Sequence, residues 1–241
     1  MKTLIQQFVR GFGYELKRVN PIKENAGHQL YQYRRIDDSF DYGSYVKAQT
    51  EGNKKKIQNV WVYEENIEYI SRYIRKKVNP VRFGLCHGTR RGKEQEWFKK
   101  YLGCDVIGTE ISDTAEQFPD TIQWDFHETK PEWIGAVDFI YSNSLDHSYD
   151  PKKCLAAWMS CLGPTGICII EHSSQDEVST SLDPFGAHVS VVPYLVLDWS
   201  EGAYSVREIL DVPVKPSWLR YNKFLILQNQ DLVPRKRPPA D

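Results

Sequence analysis

The feature that most constrains this chain is an alternation. From residue 81 to residue 173, short apolar runs and helical stretches take turns: VRFGLCH and EQEWFKKYL, then DVIGTEI and a short link, then TIQWDF. VDFIYSNS, KCLAAWMSCL and GICIIEHS continue the series, the last introduced by the turn Gly163-Pro164-Thr165-Gly166. Apolar runs with no polar alternation are buried on both faces, and helices between them supply the crossovers that parallel strands need. The expected class is α/β, a doubly wound and mostly parallel sheet. Two further strands, YSVREILDV and YNKFLILQN, are joined by the turn-rich PVKPS and close the sheet as a C-terminal antiparallel hairpin. Before the alternation, EENIEYISRYIRKK places Ile67, Ile70 and Ile74 at helical spacing with acids first and bases last, as the helix dipole favours. Between the last two sections, SVVPYLVLDWS reads as a helix that Ser190 can cap.

The expected organisation is an N-terminal extension over 1–59, one domain over 60–230 and a disordered, proline-rich tail over 231–241. In the extension, Leu4, Ile5, Phe8, Val9 and Phe12 form one face of an amphipathic helix that either docks on the core or lies weakly on a membrane surface. Residues 17–58 are polar with interspersed tyrosines and read as irregular or loosely helical, a segment suited to a lid or a substrate-facing surface. The formal charge of −1 gives no global basic field for nucleic acid, which leaves only a local patch of Lys54, Lys55, Lys56, Arg72, Arg75, Lys76 and Lys77. A solvated helix face explains those bases equally well. Five cysteines without a C-x-x-C pair read as reduced core residues, and the absence of a long apolar run points to a cytoplasmic protein.

FGLCHGTRRGKE carries the chemistry: an apolar strand runs into Gly88, Arg90 and Gly92 and opens a helix near Lys93. Glycines at such a turn let a ligand approach the backbone, and free amides at the helix start attract an anion. The next strand ends in Glu110, where a carboxylate accepts both hydroxyls of a ribose. The third ends near Asp125 and Phe126, an acid for an exocyclic amine beside an apolar cover for the ring. The fourth ends in Ser142-Asn143-Ser144, at the carboxyl edge where doubly wound sheets bind ligands.

Over residues 81–228 this pattern resembles the class I S-adenosylmethionine-dependent methyltransferases, with the first motif in the form G-x-R-x-G-x-E at Gly88, Arg90, Gly92 and Glu94. That family usually has glycine where Arg90 stands; here Arg90 either bonds the methionine carboxylate or pairs with Glu94. The resemblance implies a Rossmann-like methyltransferase fold and S-adenosyl-L-methionine as cofactor. It places Thr89 beside the glycine turn, Glu110 and Ile111 at the ribose, Asp125 and Phe126 at the adenine, and Asn143, Ser144 and Leu145 under the sulfonium. Bulky Arg90 disfavours a dinucleotide, whose pyrophosphate would lie on that turn.

Methyl transfer to oxygen or nitrogen usually needs a base for the acceptor proton. His147, Asp146 and His172 are the candidates, His147 first because an imidazole titrates near neutrality. His147 equally reads as a loop residue bonding a carbonyl, and Asp146 as the cap of the following helix. Glu171 and His172 are adjacent on a strand and face opposite ways, so no metal is expected. Trp124, Trp133, Trp158, Trp199 and Trp218 read as packing. The balanced charge favours a small polar acceptor such as a sugar, glycan or secondary metabolite; a nucleic-acid or protein methyltransferase and a non-catalytic interaction module stay as alternatives.

Overall fold

In a computed structural model of the chain, the structure describes residues 12, 22–25 and 27–230. The amphipathic segment before residue 17 and the tail from residue 231 therefore lie outside the described residues, Phe12 excepted.

The chain order begins with β1 (Ile22–Asn25), β2 (His28–Tyr31), α1 (Tyr42–Lys55) and α2 (Glu64–Lys77). It continues through β3 (Phe83–His87), α3 (Lys93–Leu102), β4 (Asp105–Glu110), β5 (Thr121–Gln123) and β6 (Val137–Ser142). The last elements are α4 (Pro151–Cys161), β7 (Leu162–Ser173), β8 (Phe185–Ala187), α5 (Val192–Trp199), β9 (Tyr204–Asp211) and β10 (Asn222–Asn229). Seven strands form one sheet in the order β5-β4-β3-β6-β7-β10-β9. The β3–β4, β4–β5, β3–β6 and β6–β7 pairs are parallel, and β10 runs antiparallel to both β7 and β9. The doubly wound sheet with its closing hairpin is thus the fold.

Each strand of the centre is buried on both faces. Leu85, Ile140, Cys168, Ile170 and Leu225 point to one side, where Leu155, Trp158, Leu195 and Val196 of α4 and α5 cover them. Cys86, Phe139, Tyr141, Ile169 and Ile226 point to the other, against Ile67, Ile70, Ile74 of α2 and Phe98 of α3. The cysteines are all free, and four of the five are buried.

Strands β3, β4 and β5 step outward in one direction and β6 returns to the far side of β3. The connections therefore diverge at the carboxyl ends of β3 and β6, which opens a crevice there. Both loops singled out from the sequence, Gly88–Gly92 and Asn143–His147, lie at that point.

The described part of the stretch 17–58 differs from its expected irregular or loosely helical state. β1 and β2 form a hairpin whose second strand pairs with β8, and α1 is a regular helix of 14 residues. Asp41 caps α1 by accepting from the Ser44 amide at 3.1 Å. Its buried face is Tyr45, Gln49, Gly52 and Asn53, at helical spacing but not apolar. Two capping assignments also change. Asp150, not Asp146, caps α4 by accepting from the Lys153 amide, and Ser190 bonds His188 instead of capping α5, which has no side-chain cap.

Candidate functional site

The turn after β3 is built by its backbone. Gly88 has φ +74°, Arg90 +34° and Gly92 +71°, and Gly92 occupies the N-cap of α3. A Cβ on Gly88 would come within 2.6 Å of the Ser144 side chain, so the glycine permits both the left-handed conformation and the close approach of the two loops. Gly88→Ala should cost about 1–2 kcal/mol for the left-handed conformation alone. A urea unfolding midpoint unchanged from the parent protein would contradict that reading.

Glu110 ends β4 with both oxygens engaged: Oε1 accepts from the Ser112 amide at 3.1 Å and Oε2 from the Arg90 amide at 3.2 Å. Burial raises its pKa above the ordinary carboxylate range. The Nε and Nη1 of Arg90 are buried with no hydrogen-bond partner among the described residues, and no ion pair with Glu94 forms. Of the two roles open for Arg90, the intramolecular pairing is therefore not made. Glu94 is itself buried, and burial pushes its carboxyl up to about 8.

Two hollows flank this turn and share part of their lining. The larger, about 320 Å³, takes in Gly88, Thr89, Arg90, Glu94, Asn143, Ser144, Asp146 and His147 from the expected set. A narrow cleft of about 50 Å³ runs under α1 and is lined by Gly88, Arg90, Glu110, Ile111, Asp125, Phe126, Ser144 and His147. Arg90, Gly88, Ser144 and His147 border both. Gly92 and Leu145 border neither; Gly92 shapes the turn, and Leu145 is 2% exposed in the core.

His172 is corrected as a catalytic candidate. It is buried on the opposite face of β7 from Glu171, bonds the Ala187 carbonyl through Nε2 at 2.9 Å, and borders neither hollow. His147 stands between the hollows. Its Nδ1 lies 2.8 Å from the Leu182 carbonyl and 2.9 Å from Gln49 Oε1. Burial lowers its pKa below 6.5, although Asp183, 3.7 Å away, pulls the other way. Asp146 has its Oδ1 buried without a partner, and burial followed by the charge of Asp183 raises its pKa.

Sequence spacing does not reveal that Asp183 joins this group. Ligand-type atoms of Asp146, His147 and Asp183 lie within 4.8 Å of one another, a grouping the expectation of no metal did not foresee. Because Nδ1 of His147 faces two acceptor oxygens, only its Nε2 keeps a free lone pair.

Asp125 accepts from His127 at 2.7 Å and from the Tyr42 hydroxyl of α1 at 2.8 Å. Burial pushes its carboxyl up, but His127 and Tyr42 outweigh burial and hold it below the ordinary value. Trp133 and Trp158 pack in the core as expected, but Trp218 is 57% exposed and, with Trp61 at 48%, stands on the wall of the larger hollow. Three of the seven bases of the patch are in ion pairs: Lys54 with Asp113, Arg72 with Glu68 and Lys77 with Glu208. Among the described residues, no helix is long and apolar enough to cross a membrane.

No protein-family model matches the chain, and no curated protein sequence matches it. Solved structures do. The 1,6-didemethyltoxoflavin-N1-methyltransferase of Burkholderia thailandensis, with 1,6-didemethyltoxoflavin and S-adenosylhomocysteine bound, is 13% identical, with 88% of this chain and 100% of that one covered at a TM-score of 0.62. Magnesium protoporphyrin IX methyltransferase from Synechocystis PCC 6803, with bound SAM, is 11% identical over 80% of this chain and 99% of that one, with a TM-score of 0.54. A [4+2]-cyclase is 11% identical over 78% of each chain, with a TM-score of 0.50. The fold is that of these proteins. At such identities, and with a cyclase among the neighbours, chemistry must be argued from the site.

Proposed function

We propose that this chain is an S-adenosylmethionine-dependent methyltransferase that methylates a hydroxyl of a small polar acceptor, the sugar or glycan class fitting best, with His147 as the base. The observation that carries the reading is the Arg90 side chain at the divergence of β3 and β6, whose Nε and Nη1 are buried without a hydrogen-bond partner, near the Glu110 carboxylate on the neighbouring strand end. Buried donors without an acceptor are costly, and a carboxylate satisfies a guanidinium with two parallel hydrogen bonds. The methionine carboxylate would supply that acceptor.

The other expected residues fit the rest of the cofactor. Glu110 has lone pairs beyond the two amides it serves and can accept ribose hydroxyls. Ile111 and Phe126 give the cleft apolar walls for a base. The cleft under α1 has room for little more than a few waters, so it must widen before the adenosyl half enters. When bound, the cofactor supplies an electrophilic methyl group on a sulfonium.

The chain's own residues then hold the acceptor and move one proton. His147 Nε2 takes the hydroxyl proton as the oxygen attacks, and its lowered pKa keeps it unprotonated at neutral pH. Asp146 and Asp183 line the larger hollow and offer acceptor oxygens to other hydroxyls, while Trp61 and Trp218 offer flat apolar faces to a sugar ring. A net charge of −1, which gives no global basic field, speaks against a nucleic-acid acceptor.

Calorimetric titration tests the cofactor directly: heat with S-adenosylmethionine and none with a nicotinamide dinucleotide is expected. Folded protein that gives no heat with S-adenosylmethionine would leave a non-catalytic module as the better reading.

A further inference from the structure

We infer that Gln49, from α1 in the N-terminal extension, is a positioning residue that fixes the tautomer and orientation of His147 and so makes its Nε2 the proton-accepting atom. This inference rests on the methyltransferase reading for its purpose, but not for its geometry.

The hydrogen-bond inventory leaves one assignment. The Leu182 carbonyl can only accept, and it receives Gln49 Nε2 at 2.8 Å and His147 Nδ1 at 2.8 Å. The first contact fixes the amide, because its nitrogen must face that carbonyl, and Oε1 is then turned to His147 Nδ1 at 2.9 Å. With two acceptors before it, Nδ1 carries the hydrogen in the neutral ring, and Nε2 is left with the lone pair. Gln49 is 8% exposed and fills this place from the buried stripe of α1. One turn earlier, Tyr45 donates to the His147 carbonyl at 3.1 Å, so the same helix holds both the backbone and the ring of His147.

The charges around the ring come from every side. Asp183 lies 3.7 Å from Nδ1 on the Leu182 loop, and Asp146 precedes His147 in the chain. Arg90 and Glu110 act across the cleft with opposite sign, Asp176 feels the ring from the end of β7, and Lys56 at the end of α1 acts on Asp146. Against that background, a neutral amide positions the ring without adding charge. A carboxylate there would favour the imidazolium.

The test uses the full chain with ¹⁵N-labelled histidine, the His147 signal being assigned by its loss in His147→Asn. In the parent protein the neutral ring should be protonated at Nδ1. Gln49→Glu should raise the His147 pKa by about one unit and move the acid limb of the kcat profile upward by the same amount. Gln49→Ala should lower kcat about tenfold, part of the 10²–10⁴ that a positioned base supplies, with little change in the acceptor KM. Three results overturn the inference: an Nε2-protonated ring in the parent protein, a His147 titration unmoved in folded Gln49→Glu, or variants that lose only S-adenosylmethionine affinity. Failure of the parent protein to bind S-adenosylmethionine would instead remove the methyltransferase reading, and the labelled spectra would still report on the ring.

Discussion

Replacing His147 with asparagine should lower kcat by about 10²- to 10⁴-fold, the span a positioned general base contributes, while S-adenosylmethionine affinity stays within a few-fold of the parent protein. The pH dependence separates this from general damage. Burial lowers the His147 pKa below 6.5, so the ring is neutral and competent at pH 7 and is lost as a base only as the pH falls through that lowered value. The parent profile should therefore drop on the acid side below pH 6.5, and His147→Asn should remove that limb. Asp146 is the rival base, but burial and Asp183 raise its pKa, so it holds a proton under conditions where His147 does not. Asp146→Asn should therefore keep the acid limb. A His147→Asn enzyme within fivefold of the parent kcat would show that proton removal falls to another group or is not needed.

The parts of the fold legible in the sequence are those where burial and apolarity coincide. β3, β4, β6, β7 and the isoleucine face of α2 bury carbon against carbon, and apolar periodicity marks them. α1 escapes that signal because its buried stripe is Tyr45, Gln49, Gly52 and Asn53. Those residues face a cleft and its polar neighbours: Thr114 donates to Asn53, and a Cβ on Gly52 would lie 2.8 Å from Leu182. A polar stripe at helical spacing is the signal that was available, and it pointed to the site. The same reasoning covers the remaining differences. His172 and Glu171 are neighbours in sequence, but strand geometry sends only Glu171 toward the larger hollow. Asp183 joins His147 only because the loop after β7 folds back, and no spacing encodes that. Trp218 looks like a packing residue until the surface around it shows that, with Trp61, it walls the larger hollow.

Glu110→Ala should weaken S-adenosylmethionine binding by at least about 100-fold, since hydrogen bonds to a charged group contribute roughly 1.5–3 kcal/mol each and two ribose hydroxyls are at stake. Alanine also frees the amides of Arg90 and Ser112, which Glu110 now holds, so a loosened turn would add to the loss. Glu110→Gln keeps the shape and one carbonyl oxygen, but its NH2 can only donate, so one of the two backbone amides loses its acceptor. Stability has its own pH dependence. Burial raises the folded-state pKa of Glu110 above 4.5, so the folded chain binds protons more readily than the unfolded one, and the stabilisation from its protonated form is lost as pH rises through the raised value. An amide at this position does not titrate, so Glu110→Gln should remove this part of the pH dependence of Tm while calorimetry shows weaker cofactor binding. Unchanged affinity in both variants would mean the ribose lies elsewhere, and a pH dependence of Tm unaltered in Glu110→Gln would mean that another group carries it.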